Sequence, residues 1–247
     1  MRKRTGGQQK TRKPEATSLA DRAYLAVRDE ILRGRLPPGT PVSRRRVALD
    51  LGMSVLPVAD AFRRLQADGL LETRARAGTR VRVPSEADVR QLYELREALE
   101  TQSARLFAER STPAERRAIE RIAREVDRLF DRLARQGPDT AFRFEVNQRH
   151  VQLHMQIADG ARSALLRQMI ERSHVLIFNW QFDATVRRAP LPARFHAELA
   201  AALVSGDAAK ADAAMRAHVR HGMAETSNAF SALAASEWRE PRRRRRA

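Results

Sequence analysis

A change of hydrophobic period near Asp68 and Gly69 constrains the fold of this chain more than any other feature. Before this point, apolar residues recur at helical spacing in three segments. After it, residues 70–75 and 79–83 alternate like two short β-strands. Two helices joined by a turn and followed by a basic hairpin are typical of a winged helix-turn-helix. The sequence therefore predicts a DNA-binding domain of this kind at residues 18–84.

Local signals place the elements of this domain. Ser43 and Ser54 are suited to cap the second and third helices, and Pro57 lies in a first turn, where proline is tolerated. The buried stripe of the third helix is expected to comprise Val58, Ala61, Phe62 and Leu65. The inward side chains of the second strand are expected to be Thr79, Val81 and Val83. A turn at Ala77 and Gly78 joins the strands.

The rest of the chain is helical by pattern. Proline, glycine and capping residues divide it into segments at residues 86–110, 113–135, 139–159, 162–186, 191–205 and 208–235. Six such helices with short connections predict an antiparallel bundle at residues 85–235. The expected fold class is mostly α, a winged helix-turn-helix followed by an all-helical domain.

Charge and composition indicate which classes of binding partner and metal site this chain can have. The net charge of +17 favours a polyanion such as DNA or RNA, although free use of arginine on surfaces is an alternative explanation. Basic tails at residues 1–17 and 236–247 are expected to be disordered. With no long apolar run we expect no membrane span. The absence of cysteine excludes disulfides and thiolate metal sites and fits a cytoplasmic protein.

Four histidines are spaced like metal ligands. His150 and His154 are four residues apart and project from one face of a helix. His196 and His218 lie at similar distances on either side of the break between the last two helices, so an antiparallel return brings them level. Three helices can thus present four imidazoles to one point. Ordinary buried or surface histidines are the alternative.

The run GRLPPGTPVSRRRVALDLGMSVLPVADAFRRLQADGLLETRARAGTRVRV resembles the winged helix of GntR-type transcription regulators. The following LYELREALETQSARLFAER resembles the start of the FCD effector domain, found in the FadR- and VanR-like branch. The resemblance extends over residues 19–235. It implies a homodimeric regulator, most simply a repressor, that binds an inverted-repeat operator in double-stranded DNA.

The recognition helix departs from the family pattern. Members usually carry arginines, which contact bases and phosphates, at the positions of Val55 and Ala59. Three hypotheses follow: an unusual operator whose thymine methyls contact Val55, weak binding with little sequence preference, or loss of DNA binding. The resemblance and the basic wing together give the expected DNA contacts as Arg44, Arg45, Arg46, Ser54, Val55, Arg74, Arg76, Gly78 and Arg80.

FCD domains similar to this one bind a divalent cation through an acidic residue, a histidine four positions later, and two further histidines. His154, His196 and His218 match these histidines, and His150 takes the acidic position. The resemblance therefore implies a four-histidine site. Imidazole ligands favour Zn²⁺, with Ni²⁺ as the alternative, over Mg²⁺ or Ca²⁺.

Such a site implies an anionic effector. Four neutral imidazoles leave the double positive charge of the ion uncancelled, which attracts a small carboxylate to an open coordination position. Arg96 matches a family arginine and is expected to pair with this effector, the alternative being a surface ion pair with Glu100. Arg143 and Asn147 are further candidates to line the pocket.

Two other functions are alternatives to a ligand-responsive regulator. Di-iron helical-bundle enzymes need two Glu-x-x-His motifs, and this chain has one, Glu171 to His174, so an enzyme is not expected. A non-specific architectural DNA-binding protein is the other alternative, based on the charge and the missing arginines. His174 and His221 have no family counterpart and are expected in an interhelical hydrogen bond or on a solvated face.

Overall fold

The computed structural model describes residues 18–136, 139–180 and 190–235. Its N-terminal elements are α1 (Leu19–Leu32), α2 (Arg44–Asp50), α3 (Val55–Ala67), β1 (Leu71–Arg74) and β2 (Gly78–Val81). The predicted winged helix-turn-helix is thereby confirmed. Both predicted basic tails lie outside the described residues.

One of the two predicted helix caps is present. The hydroxyl of Ser43 accepts a hydrogen bond from the backbone of Arg46, as expected of a cap. Ser54 stands at the start of α3, but its side chain makes no capping hydrogen bond, and this prediction was wrong. An N-cap hydroxyl accepts from the second or third helical N–H, and the third position here is Pro57, which has none. Ser54 is exposed.

The core of the N-terminal part lies between α1 and α3. The predicted stripe on α3 is buried throughout: Val58, Ala61, Phe62 and Leu65. It packs in one hydrophobic cluster with Ala23, Val27 and Ile31 of α1 and with Leu71 and Val81 of the hairpin. Burial of this apolar stripe fixes which face of α3 is turned outward.

The hairpin forms the wing. β1 and β2 pair antiparallel from Leu71 opposite Val81 to Arg74 opposite Gly78, so residues 75–77 form the loop. Arg76 and Gly78 adopt left-handed backbone, with φ of 63° and 82°. The turn therefore centres one to two residues earlier than predicted. Thr79 and Val81 are buried as expected.

The C-terminal part contains α4 (Glu86–Arg110), α5 (Pro113–Gln136), α6 (Thr140–Gly160), α7 (Ala164–Trp180), α8 (Phe195–Val204) and α9 (Ala208–Ala235). The predicted helical bundle is confirmed. α8 begins four residues later than predicted, because residues 190–194 are not helical and Arg194 has a φ of 59°. The last part of the predicted fourth bundle helix, residues 181–186, lies outside the described residues.

α4 is the central helix of the bundle and packs against α6, α7, α8 and α9. Close approach to α6 depends on Gly160. A Cβ atom there would lie 2.4 Å from Cδ2 of Phe107, inside van der Waals contact. α5 covers α6 and α8 from the other side. The arrangement brings inward-facing positions of α4, α6, α8 and α9 together, which positions the histidines.

One hydrogen bond joins the two parts of the molecule near the recognition helix. Nη2 of Arg172, on α7, donates to the carbonyl oxygen of Ala67 at 2.6 Å, at the end of α3. The Arg172 guanidinium also lies 3.6 Å from the Asp68 carboxylate, which accepts a 2.8 Å hydrogen bond from the Tyr24 hydroxyl of α1. The end of α3 thus contacts both α7 of the helical bundle and α1.

Among the described residues, no helix is both long enough and apolar enough to cross a membrane.

Candidate functional site

Three of the four predicted metal ligands direct their Nε2 atoms toward one another. Nε2 of His154 lies 3.0 Å from Nε2 of His150 and 3.1 Å from Nε2 of His218. The His150 and His218 nitrogens are 3.2 Å apart. His150 and His154 come from one face of α6 and His218 comes from α9, so the predicted convergence of separate helices is what the structure shows.

His196 approaches the same point from α8. Its ring centroid lies 4.8 Å from that of His150 and 5.3 Å from that of His218. Nε2 of His196 is buried and has no hydrogen-bond partner among the described residues. Nδ1 lies 2.7 Å from Oδ1 of Asp127, on α5. Asp127 thus fixes the proton on Nδ1 and leaves the Nε2 lone pair facing the other histidines.

A second carboxylate lies against the corresponding nitrogen of His154. Nδ1 of His154 contacts Oε2 of Glu100, and both side chains are buried on the bundle interior. Glu100 also accepts a 2.6 Å hydrogen bond from Nε of Arg96, which is 4% exposed. The ion pair of Arg96 and Glu100 that was considered as an alternative is present, but it is buried rather than on the surface.

Burial sets the charge of this cluster. It lowers the pKa of His150 and His218 well below the usual value, and neighbouring imidazoles lower it further. Burial also lowers the pKa of His196, against the opposing effect of Asp127. These three imidazoles are therefore neutral at pH 7, the form that coordinates a metal.

The supporting carboxylates remain ionised. Burial raises the pKa of Glu100, but Arg96, His154 and His174 lower it more, so the net pKa lies well below the usual range. For Asp127, burial raises the pKa and hydrogen bonds from His196 lower it, with a net decrease. Each carboxylate can hold the proton of an imidazole Nδ1 and raise the basicity of its Nε2.

Three of the four histidines have nitrogen separations typical of metal ligands. Zinc–nitrogen bonds of about 2.0–2.1 Å place ligand nitrogens about 2.9 Å apart at right angles and about 3.4 Å apart in a tetrahedron. The three Nε2 separations of 3.0–3.2 Å fall within this interval. His196 has a buried, unpartnered Nε2, and a ring nitrogen of this residue lies within 4.8 Å of those of His150 and His218, which makes it the candidate fourth donor. The residues present therefore fit a divalent ion.

A second group of possible ligands fits less well. Glu100, His154 and His174 also bring ligand atoms near one another. The Arg96 guanidinium, however, is hydrogen-bonded to Glu100, and its positive charge opposes a cation there. Nε2 of His174 lies 3.4 Å from Oε1 of Glu100, and burial lowers the His174 pKa to about 4. We therefore regard this group as support for the four-histidine cluster.

The other residues considered for the pocket lie nearby on the same helices. Asn147 is buried on α6, one turn before His150, and Arg143 is half-buried one turn further away. His174 is buried against Glu100 and is not on a solvated face. His221 lies beside the Phe195 ring at 4.7 Å.

Sequence reasoning missed Glu100 and Asp127 as functional residues. Glu100 entered only as the partner of Arg96 in a surface ion pair. Asp127 lies in α5, where charged residues are so frequent that one carboxylate gives little signal. Its position next to the buried Val126, on the edge of the apolar stripe, was the available clue.

Three exposed arginines of the helix-turn-helix lie on α2. Arg44 and Arg45 are exposed, and neither forms an ion pair with any described residue. Arg46 is also exposed, but its Nε lies 2.9 Å from Oδ1 of Asp50. Arg44 and Arg45 are thus the residues on this helix whose charge remains available to a polyanion.

The arginines of the wing also differ in exposure and in ion pairing. Arg76 is exposed at the tip of the hairpin. Arg80 is held by Glu72, with Nε 2.5 Å from Oε1, and its side chain is 28% exposed. Arg74 is exposed and lies 3.6 Å from the same carboxylate. Gly78 is exposed beside the tip, with open space around its Cα. Among these wing arginines, Arg76 is therefore the one that forms no ion pair with a described carboxylate.

The recognition helix α3 presents apolar residues at its start. Val55 is 45% exposed and Leu56 72% exposed. Arg63 forms an ion pair with Asp60 at 2.5 Å. Arg64 lies 2.5 Å from Asp21 and stacks on the Tyr24 ring.

A winged helix-turn-helix joined to a helical domain defines the class of DNA-binding transcription regulators. Comparison with family models gives the family. Residues 19–81 match the bacterial regulatory proteins of the gntR family, and residues 91–221 match the FCD domain. The chain belongs to the GntR family and carries an FCD domain. As predicted, its family consists of regulators rather than enzymes.

The curated proteins with similar sequences are also transcription regulators. Over 92 residues the chain is 45% identical to a "Probable D-xylose utilization operon transcriptional repressor" of Paenarthrobacter nicotinovorans, covering 37% of this chain and 41% of that protein. Over 136 residues it is 31% identical to the HTH-type transcriptional repressor RspR of Escherichia coli K12, covering 55% and 58%. The chain thus matches less than two thirds of the length of these relatives.

Solved structures share the fold. Escherichia coli McbR/YncC superposes with a TM-score of 0.69 at 20% identity, covering 87% of this chain and all of that one. A GntR structure from Rhodococcus sp. RHA1 gives a TM-score of 0.67 at 21% identity, covering 85% and 98%. At this level of identity the likeness concerns the fold alone.

Proposed function

We propose that this protein is a cytoplasmic, homodimeric transcription repressor whose helical domain binds a divalent metal and a small organic acid. The convergence of four imidazoles on one buried point carries this proposal. Since helix-turn-helix dimers place two recognition helices on successive major grooves, the operator in double-stranded DNA would be an inverted repeat. The ligand would alter operator affinity by favouring one arrangement of the dimer.

Zinc is the metal that the donor set favours, with nickel second. The donors are His150, His154, His196 and His218, all imidazoles, which suit these ions better than Mg²⁺ or Ca²⁺. When bound, the ion would supply a positive centre that attracts an anionic ligand, because none of the four donors carries a negative charge. The protein itself supplies the buried surroundings and the orientation of each ring.

The structure suggests an indirect part for Arg96. Its guanidinium is bound to Glu100, so a direct pair with an effector carboxylate would require this buried bond to open. We propose that Arg96 acts through Glu100 and His154, holding the metal ligand while the effector binds to the metal. Arg143 and Asn147 on α6 remain the proposed lining of the effector pocket.

α7 is the proposed link between the metal and DNA. His174 on this helix lies against Glu100, which supports His154. Two residues earlier, Arg172 donates to the last residue of the recognition helix, Ala67. A shift of α7 on ligand binding would therefore reach α3 without any intermediate element. Such a shared rigid element is one physical basis for coupling between two sites.

Metal content tests the site. In the full-length protein, His154→Ala combined with His196→Ala should abolish stoichiometric zinc in elemental analysis. His221→Ala is the matched control, since it removes a histidine of α9 outside the cluster and should leave zinc unchanged. Unchanged metal content in the double variant would refute the four-histidine site.

The proposed DNA contacts are Arg44, Arg45, Arg46, Ser54, Val55, Arg74, Arg76, Gly78 and Arg80. Of these, Arg44, Arg45 and Arg76 are exposed and form no ion pair with a described carboxylate. One residue from α2, Arg45, and one from the wing, Arg76, therefore serve as probes. Arg45→Ala with Arg76→Ala should weaken binding to a site selected from random DNA and lower the salt slope by about one for each lost phosphate contact. Arg117→Ala with Arg121→Ala, on the exposed face of α5, is the matched control.

Non-specific DNA binding is the second candidate function, favoured by the net charge of +17 and by the ion-paired arginines of α3. The ratio of affinities for selected and random DNA distinguishes a specific regulator from a non-specific DNA-binding protein. A specific regulator should exceed a ratio of about 10³ at physiological salt, whereas a non-specific binder should give a ratio near one.

A further inference from the structure

The outward face of the recognition helix is apolar where it would enter the major groove. Leu56 lies on the side of α3 opposite the buried residues Phe62 and Leu65, and it is 72% exposed. Val55, beside it, is 45% exposed. The first turn of a recognition helix contacts base edges in helix-turn-helix complexes. These two side chains therefore occupy the positions from which sequence is read.

The arginines of α3 are already engaged within the protein. Arg63 is held by Asp60 at 2.5 Å, and Arg64 is held by Asp21 at 2.5 Å while it stacks on Tyr24. A bidentate bond from either guanidinium to guanine would first require an ion pair to open. The residues that reach outward freely from the first turn are thus the hydrocarbon side chains.

The surroundings of these apolar side chains favour DNA over a protein partner. Arg44 and Arg45 on α2 and Arg76 at the wing tip are exposed, without a carboxylate partner among the described residues. Exposed cations on the helix before α3 and on the wing after it suit contact with the phosphates that border a groove. A partner protein that covered this face would need carboxylates at all of these positions.

One apolar group lies on the base edges of the unmodified major groove, the C5-methyl of thymine. We propose that Val55 and Leu56 recognise thymine methyl groups, so that the operator half-site is specified by 5-methylpyrimidines rather than by guanines. The inference rests on the proposed DNA-binding function and names the feature of DNA that it reads. Arg44, Arg45 and Arg76 supply affinity through phosphates, and the two apolar side chains supply discrimination.

Deoxyuridine substitution isolates the methyl group. A binding site is first selected from random DNA with the full-length protein and is then synthesised with uracil in place of single thymines. At one or more positions of each half-site, uracil should weaken binding about 4-fold, the effect of one buried methyl-sized group. Measurements by fluorescence anisotropy at one fixed salt concentration give these ratios.

Variants assign the effect to the two side chains. In Leu56→Ala and Val55→Ala, the ratio between thymine and uracil sites should fall to about one at the position each residue contacts, as in a double-mutant cycle. Arg45→Ala is the control, because it should weaken thymine and uracil sites equally. Both apolar side chains are exposed, so the unfolding temperature of the alanine variants should match that of the parent chain.

The outcomes are distinct. Specific binding that is indifferent to uracil at every position overturns the inference and leaves the proposed regulator intact. Failure to bind any DNA, with capture of a protein partner through Leu56, overturns both. A uracil effect that persists in both alanine variants also overturns the assignment to Val55 and Leu56.

Discussion

Asp127 holds His196 in one orientation: Oδ1 lies 2.7 Å from the imidazole Nδ1 and 2.9 Å from the backbone nitrogen of the same residue. Glu100 makes the corresponding contact with Nδ1 of His154. In both pairs the carboxylate occupies one ring nitrogen and leaves Nε2 for the cluster. Two of the four imidazoles are therefore oriented before any ion binds, and this arrangement predicts how the site should respond to substitution.

Asp127→Asn should lower zinc affinity about 10- to 100-fold, the usual effect of losing a carboxylate that supports a metal-binding histidine. The amide keeps the shape of the side chain but no longer carries the charge that raises the basicity of His196. Competition with a chromophoric chelator measures the change. Asp131→Asn, one turn along the same helix and exposed, should leave the affinity unaltered; an equal loss in both variants would contradict the supporting role.

His150→Asp should change which metal is preferred. A carboxylate in place of one imidazole cancels one positive charge and suits harder ions, so the ratio of zinc to manganese affinity should decrease. His150→Asn is the control, because it removes the imidazole without adding charge. If His150→Asp and His150→Asn shift the ratio equally, loss of the ring and not the added charge is responsible.

Local pattern was sufficient for the fold because burial follows periodicity closely in this chain. The stripe at Val58, Ala61, Phe62 and Leu65 was predicted from spacing and is buried in the structure. The absence of a capping bond at Ser54 was not predictable from residue preference, which favours serine at this position. Pro57, three positions later, removes one of the two backbone donors that the hydroxyl could use. The position of the hairpin turn was also not predicted. It depends on left-handed backbone at Arg76, and glycine is the residue that usually marks such a conformation in a sequence.

The histidines of the candidate site could be predicted from the sequence, but the carboxylates that contact their Nδ1 atoms could not. The i,i+4 spacing of His150 and His154 and the antiparallel return between His196 and His218 follow from helix geometry. Asp127 comes from a fourth helix, α5, and its contact with His196 depends on how the helices pack in three dimensions. No spacing along the chain encodes that contact.

Acid should destabilise the metal-free protein. Burial lowers the pKa of His150 and His218 well below normal and that of His174 to about 4, whereas an unfolded histidine has a pKa of about 6.5. Below about pH 6.5 the unfolded state therefore binds more protons than the folded state, and stability falls as the pH falls. The loss is about 1.4 kcal/mol per pH unit for each such histidine, down to its folded pKa.

Thermal unfolding of chelator-treated protein at pH 7.5, 6.5 and 5.5 measures this dependence. Below about pH 6.5, His174→Gln should reduce the slope by about one proton, because it removes a group that is neutral in the folded state and protonated in the unfolded state. Zinc should raise the unfolding temperature more at pH 7.5 than at pH 5.5, since protons and the ion compete for the same nitrogens. An unfolding temperature that does not change between pH 7.5 and 5.5 would show that these histidines are accessible to protons in the folded protein.

Arg172→Ala should uncouple the metal site from DNA binding. Arg172 touches the end of α3 at Ala67, and its helix carries His174 against Glu100, so the side chain connects the histidine cluster to the recognition helix. In the parent chain, zinc should change the affinity for a selected site by a factor corresponding to about 1–3 kcal/mol of coupling. In Arg172→Ala this zinc-dependent change should shrink toward zero, while zinc affinity itself stays the same.

Fluorescence anisotropy with and without zinc, at one salt concentration, gives the coupling directly. Arg167→Ala is the matched control, because Arg167 lies on the same helix and pairs with Asp159 and Glu171 inside the helical domain. A bond to an exposed side chain contributes little to overall stability, so the unfolding temperature should change by only a few degrees in either variant. Should Arg172→Ala keep the full response to zinc, the signal must reach α3 by another contact, and the hydrogen bond to Ala67 would serve only to dock the two parts of the chain.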